Sequence, residues 1–264
     1  MSQKRYEGFL KTPCLWKKNK VFNLEQFEIN AVSNSRNIFL DENLRLGKYV
    51  ERLVSFELEQ QNNISILAEN IQIQDNKITL GELDCLLLKD SKPIHLEIIY
   101  KFYLYDASVG NSEIEHFIGP NRKDALIEKL TKLKEKQLPL LYSKACKPYL
   151  DTFNLKSRYI SQQVYFKAQL FVPYSKQDIT LELLNTNCIF GFYINANQLH
   201  ELENCKFYIP NKKDWLIAPH TNVNWLAMKD FRTATKHYFE QQFSSLCWVK
   251  FNTGELKKIF FVWW

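Results

Sequence analysis

The chain has 264 residues, of which 45% are hydrophobic and 24% are charged, and its formal net charge is +6. This length allows one large domain or a core domain with an appendage, and the composition excludes a disordered chain. No apolar run approaches the roughly 18 residues that a membrane span needs, and the N-terminus leads into no apolar signal core. The positive charge suits a polyanionic partner such as nucleic acid, although it also serves solubility.

The six cysteines are scattered along the chain, with no C-x-x-C pair and no cysteine–histidine cluster of zinc spacing. Scattered cysteines of this kind are typical of free thiols in a reducing compartment. We therefore expect a cytoplasmic protein that has no disulfide framework and does not associate with membranes.

The predicted elements begin with a loop and a short helix before about residue 35. From about residue 42 to 61 apolar residues recur at helical spacing, and Asp41 is a candidate N-cap. Three strands follow, over 64–74, 78–88 and 94–105, and turn-forming residues separate them. This order predicts a helix followed by an antiparallel meander.

The second half of the predicted core begins at Gly119-Pro120-Asn121, where Asn121 is expected to cap a helix that runs to about residue 137. One face of this helix is rich in leucine and the other in lysine, which is typical of a solvated face and also suits a nucleic-acid backbone. The free N–H groups at its start suit a phosphate, but a plain stop and cap requires no ligand. A further strand is predicted over 161–173.

The last third of the chain is predicted to hold short apolar runs between polar turns and a helix from about 225 or 229 to 243. The chain ends in the apolar run 259–264, which we expect to be buried as a strand or docked on a partner. The predicted organisation is an N-terminal extension (1–40), an α/β core (41–175) and a C-terminal α+β elaboration packed on the core (176–264).

Charged residues stand inside two of the predicted strands, where apolar residues would be expected. Asp84 lies in the second strand and Glu97 in the third, thirteen positions later. Because successive side chains of a strand point to opposite faces, His95, Glu97 and Lys101 share one face. A carboxylate from each of two adjacent strands, with a lysine beside them, can hold a divalent metal next to a phosphodiester. Glu51 in the preceding helix is expected to point at the same pocket, with Gly47 allowing close packing of the helix on the sheet.

An alternative interpretation is that these charges are cross-strand pairs on a half-exposed sheet face. Two features count against it. The opposite face of the strands is apolar, and Asp84 stands between Leu83 and the apolar run Cys85–Leu88. A carboxylate in such a segment costs several kcal/mol unless it is paired or bound to a metal. We therefore favour a nuclease-type site.

Several motifs together resemble a bacterial family, the domain of unknown function 1853. They are the Leu-Gly-x-Tyr-x-Glu helix at 46–51, Gly81–Asp84, His95–Glu97 with Lys101–Leu104, and Gly119–Arg122 with Asp124, and more faintly Trp215–Pro219. The resemblance implies membership of the PD-(D/E)XK nuclease-like superfamily, whose αβββαβ core has a mixed sheet flanked by helices. It also implies Mg²⁺ or Mn²⁺ as the metal and nucleic acid, DNA or RNA, as the partner.

The same resemblance assigns roles to individual residues. It implies that Asp84 and Glu97 are the metal carboxylates, that the backbone carbonyl of Ile98 is a further ligand, and that Lys101 and Glu51 are the catalytic lysine and the first-helix acid. The family lysine normally lies two positions after the acid, where this chain has Ile99. Two residues advance about 6.6 Å along a strand and four advance about 13 Å, so Lys101 must reach back along the sheet or meet a phosphate further down the strand.

Three functions are therefore predicted. The first is a metal-dependent phosphodiesterase or nuclease. The second is a catalytically inactive nucleic-acid-binding or protein-interaction module on the same fold. The third is a structural protein whose apolar C-terminus mediates association.

Overall fold

The structure is a computed structural model that describes residues 2–17, 20–29 and 38–264. Part of the predicted N-terminal extension lies outside these residues. The helices are α1 (Ser2–Lys11), α2 (Leu46–Leu58), α3 (Leu126–Lys132), α4 (Lys147–Asp151) and α5 (Met228–Glu240). The strands are β1 (Ile64–Asp75), β2 (Ile78–Lys89), β3 (Lys92–Tyr105), β4 (Phe117–Ile118), β5 (Ser161–Pro173), β6 (Ile189–Asn195), β7 (Lys206–Tyr208), β8 (Ser245–Lys250) and β9 (Leu256–Val262). Within the described ranges, no helix has both the length and the apolar character needed to cross a membrane.

The chain divides into two compact units made of interleaved segments. We call the first the carboxylate unit; it comprises Cys14–Tyr100 and Glu128–Lys167. We call the second the C-terminal unit; it comprises Met1–Pro13, Lys101–Ile127 and Ala168–Trp264. The long strands β3 and β5 contribute residues to both units. The predicted division at residues 40 and 175 stays a prediction.

The carboxylate unit contains the predicted helix and meander. β1 pairs with β2 antiparallel along nearly its whole length, with register shifts after Ile66 and Ile73. β2 pairs with β3 antiparallel from Lys89–Lys92 to Cys85–Leu96. The three strands predicted from periodicity are confirmed, with ends that differ by two residues or fewer. The helix α2 buries Val50 and Leu53 of its apolar stripe and, beside them, Tyr49 and Val54.

The predicted N-caps are wrong at two helices. The residue before α2 is Arg45, and the Asp41 side chain instead accepts the N–H of Asn43. Asn121 accepts the backbone N–H of Ser244, and α3 begins five residues later at Leu126. Both side chains accept a backbone N–H, one nearby and one distant in sequence, but neither N–H belongs to the start of a helix.

The C-terminal unit holds the strand order β5-β6-β9-β8-β7. β6 pairs in parallel with β5 and with β9, whereas β8 pairs antiparallel with β9 and β7. The apolar run near the end of the chain thus belongs to strand β9, which has β6 on one side and β8 on the other. Of the two predicted alternatives, burial as a strand is confirmed. The terminal Trp264 donates its indole N–H to the Pro120 carbonyl at 3.0 Å. All the described cysteines are free thiols, as predicted.

Candidate metal centre

Asp84 and Glu97 lie where β2 and β3 separate. The antiparallel register ends at Cys85–Leu96, so Asp84 and Glu97 are the next residues beyond the last pair. At this point the Asp84 carboxylate accepts the backbone N–H of Ile98 at 2.9 Å. A side chain therefore satisfies a strand donor that has lost its neighbouring strand, which explains why an acid can stand here. The prediction named the carbonyl of Ile98 as a metal ligand, whereas the contact with Asp84 is made by the Ile98 N–H; the role of the carbonyl stays a prediction.

Glu97 is fully buried and both of its carboxylate oxygens are engaged. Its Oε1 lies 3.1 Å from Nε2 of His95, which is also fully buried. Its Oε2 accepts the side-chain amide of Gln137 at 2.5 Å. Because each carboxylate oxygen has two acceptor positions, these bonds leave one free on each oxygen.

The protonation of His95 follows from its second neighbour, Gln162. The Gln162 amide nitrogen donates to the Leu138 carbonyl at 2.6 Å and lies 3.0 Å from His95 Nδ1. A carbonyl can only accept, so the amide nitrogen is fixed in place and His95 Nδ1 must be the acceptor. The ring proton is then on Nε2, from where it is donated to Glu97. His95 is thus a neutral group that orients Glu97, and Gln162 fixes its tautomer.

The surroundings of Asp84 disfavour the charged form of its carboxyl group. Burial, and next the negative charge of Glu97, raise the pKa of Asp84 to about 7. The hydrogen bond from Ile98 opposes this effect, Glu51 adds further repulsion, and Lys129 lowers the pKa of Asp84. A carboxyl group whose pKa is raised by burial and by a neighbouring carboxylate is typical of functional sites.

The charge of Glu51 acts on Asp84, but the Glu51 carboxylate is already paired with a lysine. Lys48 Nζ lies 2.9 Å from Glu51 and 2.6 Å from Glu82, and it also donates to Asn70. Burial raises the pKa of Glu51, and the Lys48 ammonium opposes that shift. The predicted packing role of Gly47 is wrong: a Cβ at this position would meet nothing within 4 Å.

The lysine that acts on Asp84 within the carboxylate unit is Lys129, which the sequence analysis did not single out. Lys129 Nζ donates to the Gln137 side-chain oxygen at 2.7 Å, while the amide nitrogen of Gln137 binds Glu97. Gln137 can reach both because α3 continues as one π-helical turn, Leu133–Gln137. Turns of this kind are rare in proteins, and those that do occur are often found at functional sites.

The predicted lysine, Lys101, belongs to the C-terminal unit, where its Nζ donates to Asp124 at 2.8 Å. Asp124 is held by the turn that begins at Gly119, whose N–H donates to the Asp124 carbonyl at 2.7 Å. A Cβ on Gly119 would lie 1.8 Å from the Asp124 carboxylate, so any larger residue here would displace the Asp124 side chain. The Gly119–Arg122 motif therefore presents the partner of Lys101.

The donor set suits a divalent metal that takes few ligands from the protein. Within the described part of the chain, no group of three or more His, Cys, Asp or Glu side chains is arranged to hold a metal ion. Mg²⁺ often uses only one or two carboxylates and takes its other ligands from water, backbone or substrate oxygens. The pair Asp84 and Glu97, with mutual repulsion that a cation would relieve, fits that mode of binding.

Comparison with known proteins assigns the chain to a family. The model of the family described as Domain of unknown function (DUF1853) matches residues 11–262, so this chain belongs to that family. No curated protein and no solved structure matches the chain.

Proposed function

We propose that the carboxylate unit is the centre of a Mg²⁺- or Mn²⁺-dependent phosphodiesterase that acts on nucleic acid, built on a PD-(D/E)XK-type core. The observation that carries the proposal is the pair of acids at the fork of β2 and β3. Asp84 and Glu97 are held close enough for the charge of one to raise the pKa of the other. The order α2-β1-β2-β3-α3-β5 supports the superfamily assignment, with the two-residue β4 between β3 and α3.

In this proposal Asp84 and Glu97 hold the metal, and His95, Gln137 and the Ile98 N–H hold the two carboxylates in position. Partners of this kind fix ligand orientation and typically affect metal affinity by 10- to 100-fold. A bound Mg²⁺ supplies a Lewis acid and an activated water. Glu51 is the auxiliary acid, whose charge is moderated by Lys48.

We assign the positively charged role at the carboxylates to Lys129. Lys129 donates a hydrogen bond to Gln137, which in turn donates one to Glu97. The positive charge of Lys129 stabilises the ionised form of Asp84. An ammonium group in this position would stabilise the negative charge that develops on a phosphate. This assignment replaces Lys101 with a helix residue, which avoids the long reach along β3.

A nucleic-acid substrate is favoured by the surface beside Gln137. Three exposed lysines lie on the segment that carries Gln137: Lys132, Lys134 and Lys136. Lysines on a substrate path neutralise phosphates and release counterions, which gives salt-dependent affinity.

The test is cleavage of labelled single- and double-stranded DNA and RNA with Mg²⁺ or Mn²⁺. We expect wild-type cleavage that stops with chelator, background activity for Asp84→Asn and Glu97→Gln, and a loss of about a hundredfold for Lys129→Met. Lys77→Met is the control, because it removes an exposed lysine of the same unit that lies in the turn between β1 and β2, outside the segment that carries Gln137.

The outcomes separate the parts of the proposal. Absence of metal-dependent cleavage on every substrate would refute the enzyme. Full activity of Lys129→Met together with loss in Lys101→Met would return the role to Lys101, as the family resemblance implies.

Binding without cleavage is the second candidate function. It is favoured by one observation, the pairing of the predicted lysine Lys101 with Asp124. This module would bind nucleic acid in a salt-dependent way that is unaffected by Asp84→Asn, whereas the enzyme would lose metal-dependent turnover in that variant.

A further inference from the structure

The C-terminal unit contains a polar cleft that the proposed phosphodiesterase does not use. Its volume is about 440 Å³. Its lining includes Lys4, Tyr208, Asp214, His220, Asn222 and Trp248. This volume is typical of small-molecule sites. We call it the His220 cleft.

One wall of the cleft is fixed by helix α1 and the Trp215–Pro219 motif. Arg5 of α1 donates to Asp214 at 2.7 Å, and both side chains are buried. A Cβ on Gly8 would lie 2.0 Å from the Leu216 carbonyl oxygen, so the helix packs on this segment at backbone contact. These contacts hold the segment that leads to His220 firmly against α1.

The charge of the cleft is positive. Its one lining acid, Asp214, is neutralised by Arg5. Lys4 Nζ lies 3.5 Å from His220 Nε2. An ammonium group only donates, so His220 Nε2 accepts and the ring proton is on Nδ1. Burial and the nearby Lys4 charge lower the pKa of His220, which agrees with a neutral ring.

Two N–H donors of the lining lack acceptors. His220 Nδ1 and Trp248 Nε1 are buried, and neither has a hydrogen-bond partner among the described residues. The two rings are in edge contact, with centroids 5.2 Å apart, and Tyr208 packs on Trp248 at 5.0 Å. Buried donors are nearly always satisfied, so orphans beside a cavity indicate a missing acceptor.

We propose that the His220 cleft binds a small organic phosphate monoester. Its phosphate oxygens accept from His220 Nδ1 and Trp248 Nε1, and from the N–H groups of the Lys4 ammonium other than the one directed at His220 Nε2. The cavity exceeds the size of one phosphate group, and the Asn222 amide can bond to hydroxyls of the organic part. This proposal does not rest on the proposed function of Asp84 and Glu97.

The test is calorimetric titration of the full chain with ribose 5-phosphate, ribose and succinate. We expect saturable binding of ribose 5-phosphate that is at least about tenfold tighter than that of the other two. Absence of saturable heat with ribose 5-phosphate at millimolar concentration would overturn the proposal. Equal affinity for succinate would overturn the assignment of the anion as phosphate.

Variants locate the site. We expect Lys4→Met to weaken ribose 5-phosphate binding about tenfold and Trp248→Phe, which keeps the ring and removes the N–H, to weaken it severalfold. The controls are Lys11→Met, which removes another lysine of α1, and Trp263→Phe, which removes an indole N–H outside the cleft. Lys4 is exposed, so its variant is expected to fold; unchanged binding by Lys4→Met would place the ligand elsewhere and overturn the site.

Discussion

Two partly or fully buried aspartates of this protein have opposite surroundings. Asp214 is buried and faces the guanidinium of Arg5 at 2.7 Å. Asp84 faces Glu97 and Glu51, and its nearest stabilising groups are one backbone N–H and the charge of Lys129. The difference teaches how to separate a structural acid from a functional candidate: the first has a dedicated cation, and the second has other acids.

The largest expected effect is on the structural acid. Asp214→Asn replaces the negative charge that the buried Arg5 guanidinium faces by a neutral amide, and we expect a loss of about 3–5 kcal/mol in the free energy of unfolding. Urea unfolding measures this change. Metal binding should be unaltered; a loss below about 1 kcal/mol would remove the distinction between the two aspartates.

The opposite sign is expected for Asp84→Asn in the metal-free protein. The Asp84 carboxyl holds its proton more tightly in the folded protein, with a pKa of about 7, than in the unfolded chain, where the value is near 3.9. The folded wild type therefore loses stability as pH rises from about 4 to about 7. At about 1.4 kcal/mol per pKa unit the full shift corresponds to about 4 kcal/mol, so we expect the variant to be more stable by about 2–4 kcal/mol at pH 8 and to have no such advantage near pH 4.

Unfolding of both proteins with chelator across this pH range provides the measurement. An equal stability difference between the two proteins at pH 4 and pH 8 would contradict the account, because the difference would then not come from the charge of Asp84.

A smaller effect is expected at Gln137, which connects Lys129 to Glu97. Gln137→Leu keeps the size of the side chain and removes both hydrogen bonds, so we expect Mn²⁺ affinity to fall about tenfold. Lys136→Leu, its exposed neighbour, is the control. Identical affinity in the two variants would mean that the π-helical turn has no part in the site.

The smallest effect is expected at Lys48, which is exposed and pairs with Glu51 and Glu82. Lys48→Met should cost less than about 1 kcal/mol in unfolding free energy, because exposed pairs contribute little. A cost similar to that of Asp214→Asn would show that exposure does not separate weak from strong pairs in this chain.

Much of the fold was predictable because it follows from local periodicity. The alternation of apolar residues defined β3 and β5, and the leucine stripe at 126, 130, 133 and 138 is buried as expected. The helix starts were not predictable from Asp41 and Asn121, because short polar side chains bond equally well to turns and to distant backbone.

The closeness of the two acids was predictable, whereas the hydrogen-bond chain from Lys129 through Gln137 to Glu97 was not. Strand parity placed Glu97 on the polar face of β3, and Asp84 was conspicuous as a carboxylate between Leu83 and the apolar run Cys85–Leu88. Lys129 looked like one lysine among several on a solvated helix face. Its role depends on the π-helical turn that brings Gln137 to Glu97, and tertiary packing rather than residue spacing determines that turn.

The central claim is that Asp84 and Glu97 share one divalent metal. Calorimetric titration of the chelator-treated protein with Mn²⁺ at pH 8 tests it most directly, with Asp84→Asn, Glu97→Gln and Asp214→Asn compared. The account predicts one site in the wild type and in Asp214→Asn, and loss of binding in the other two. Equal binding by all four proteins would contradict it.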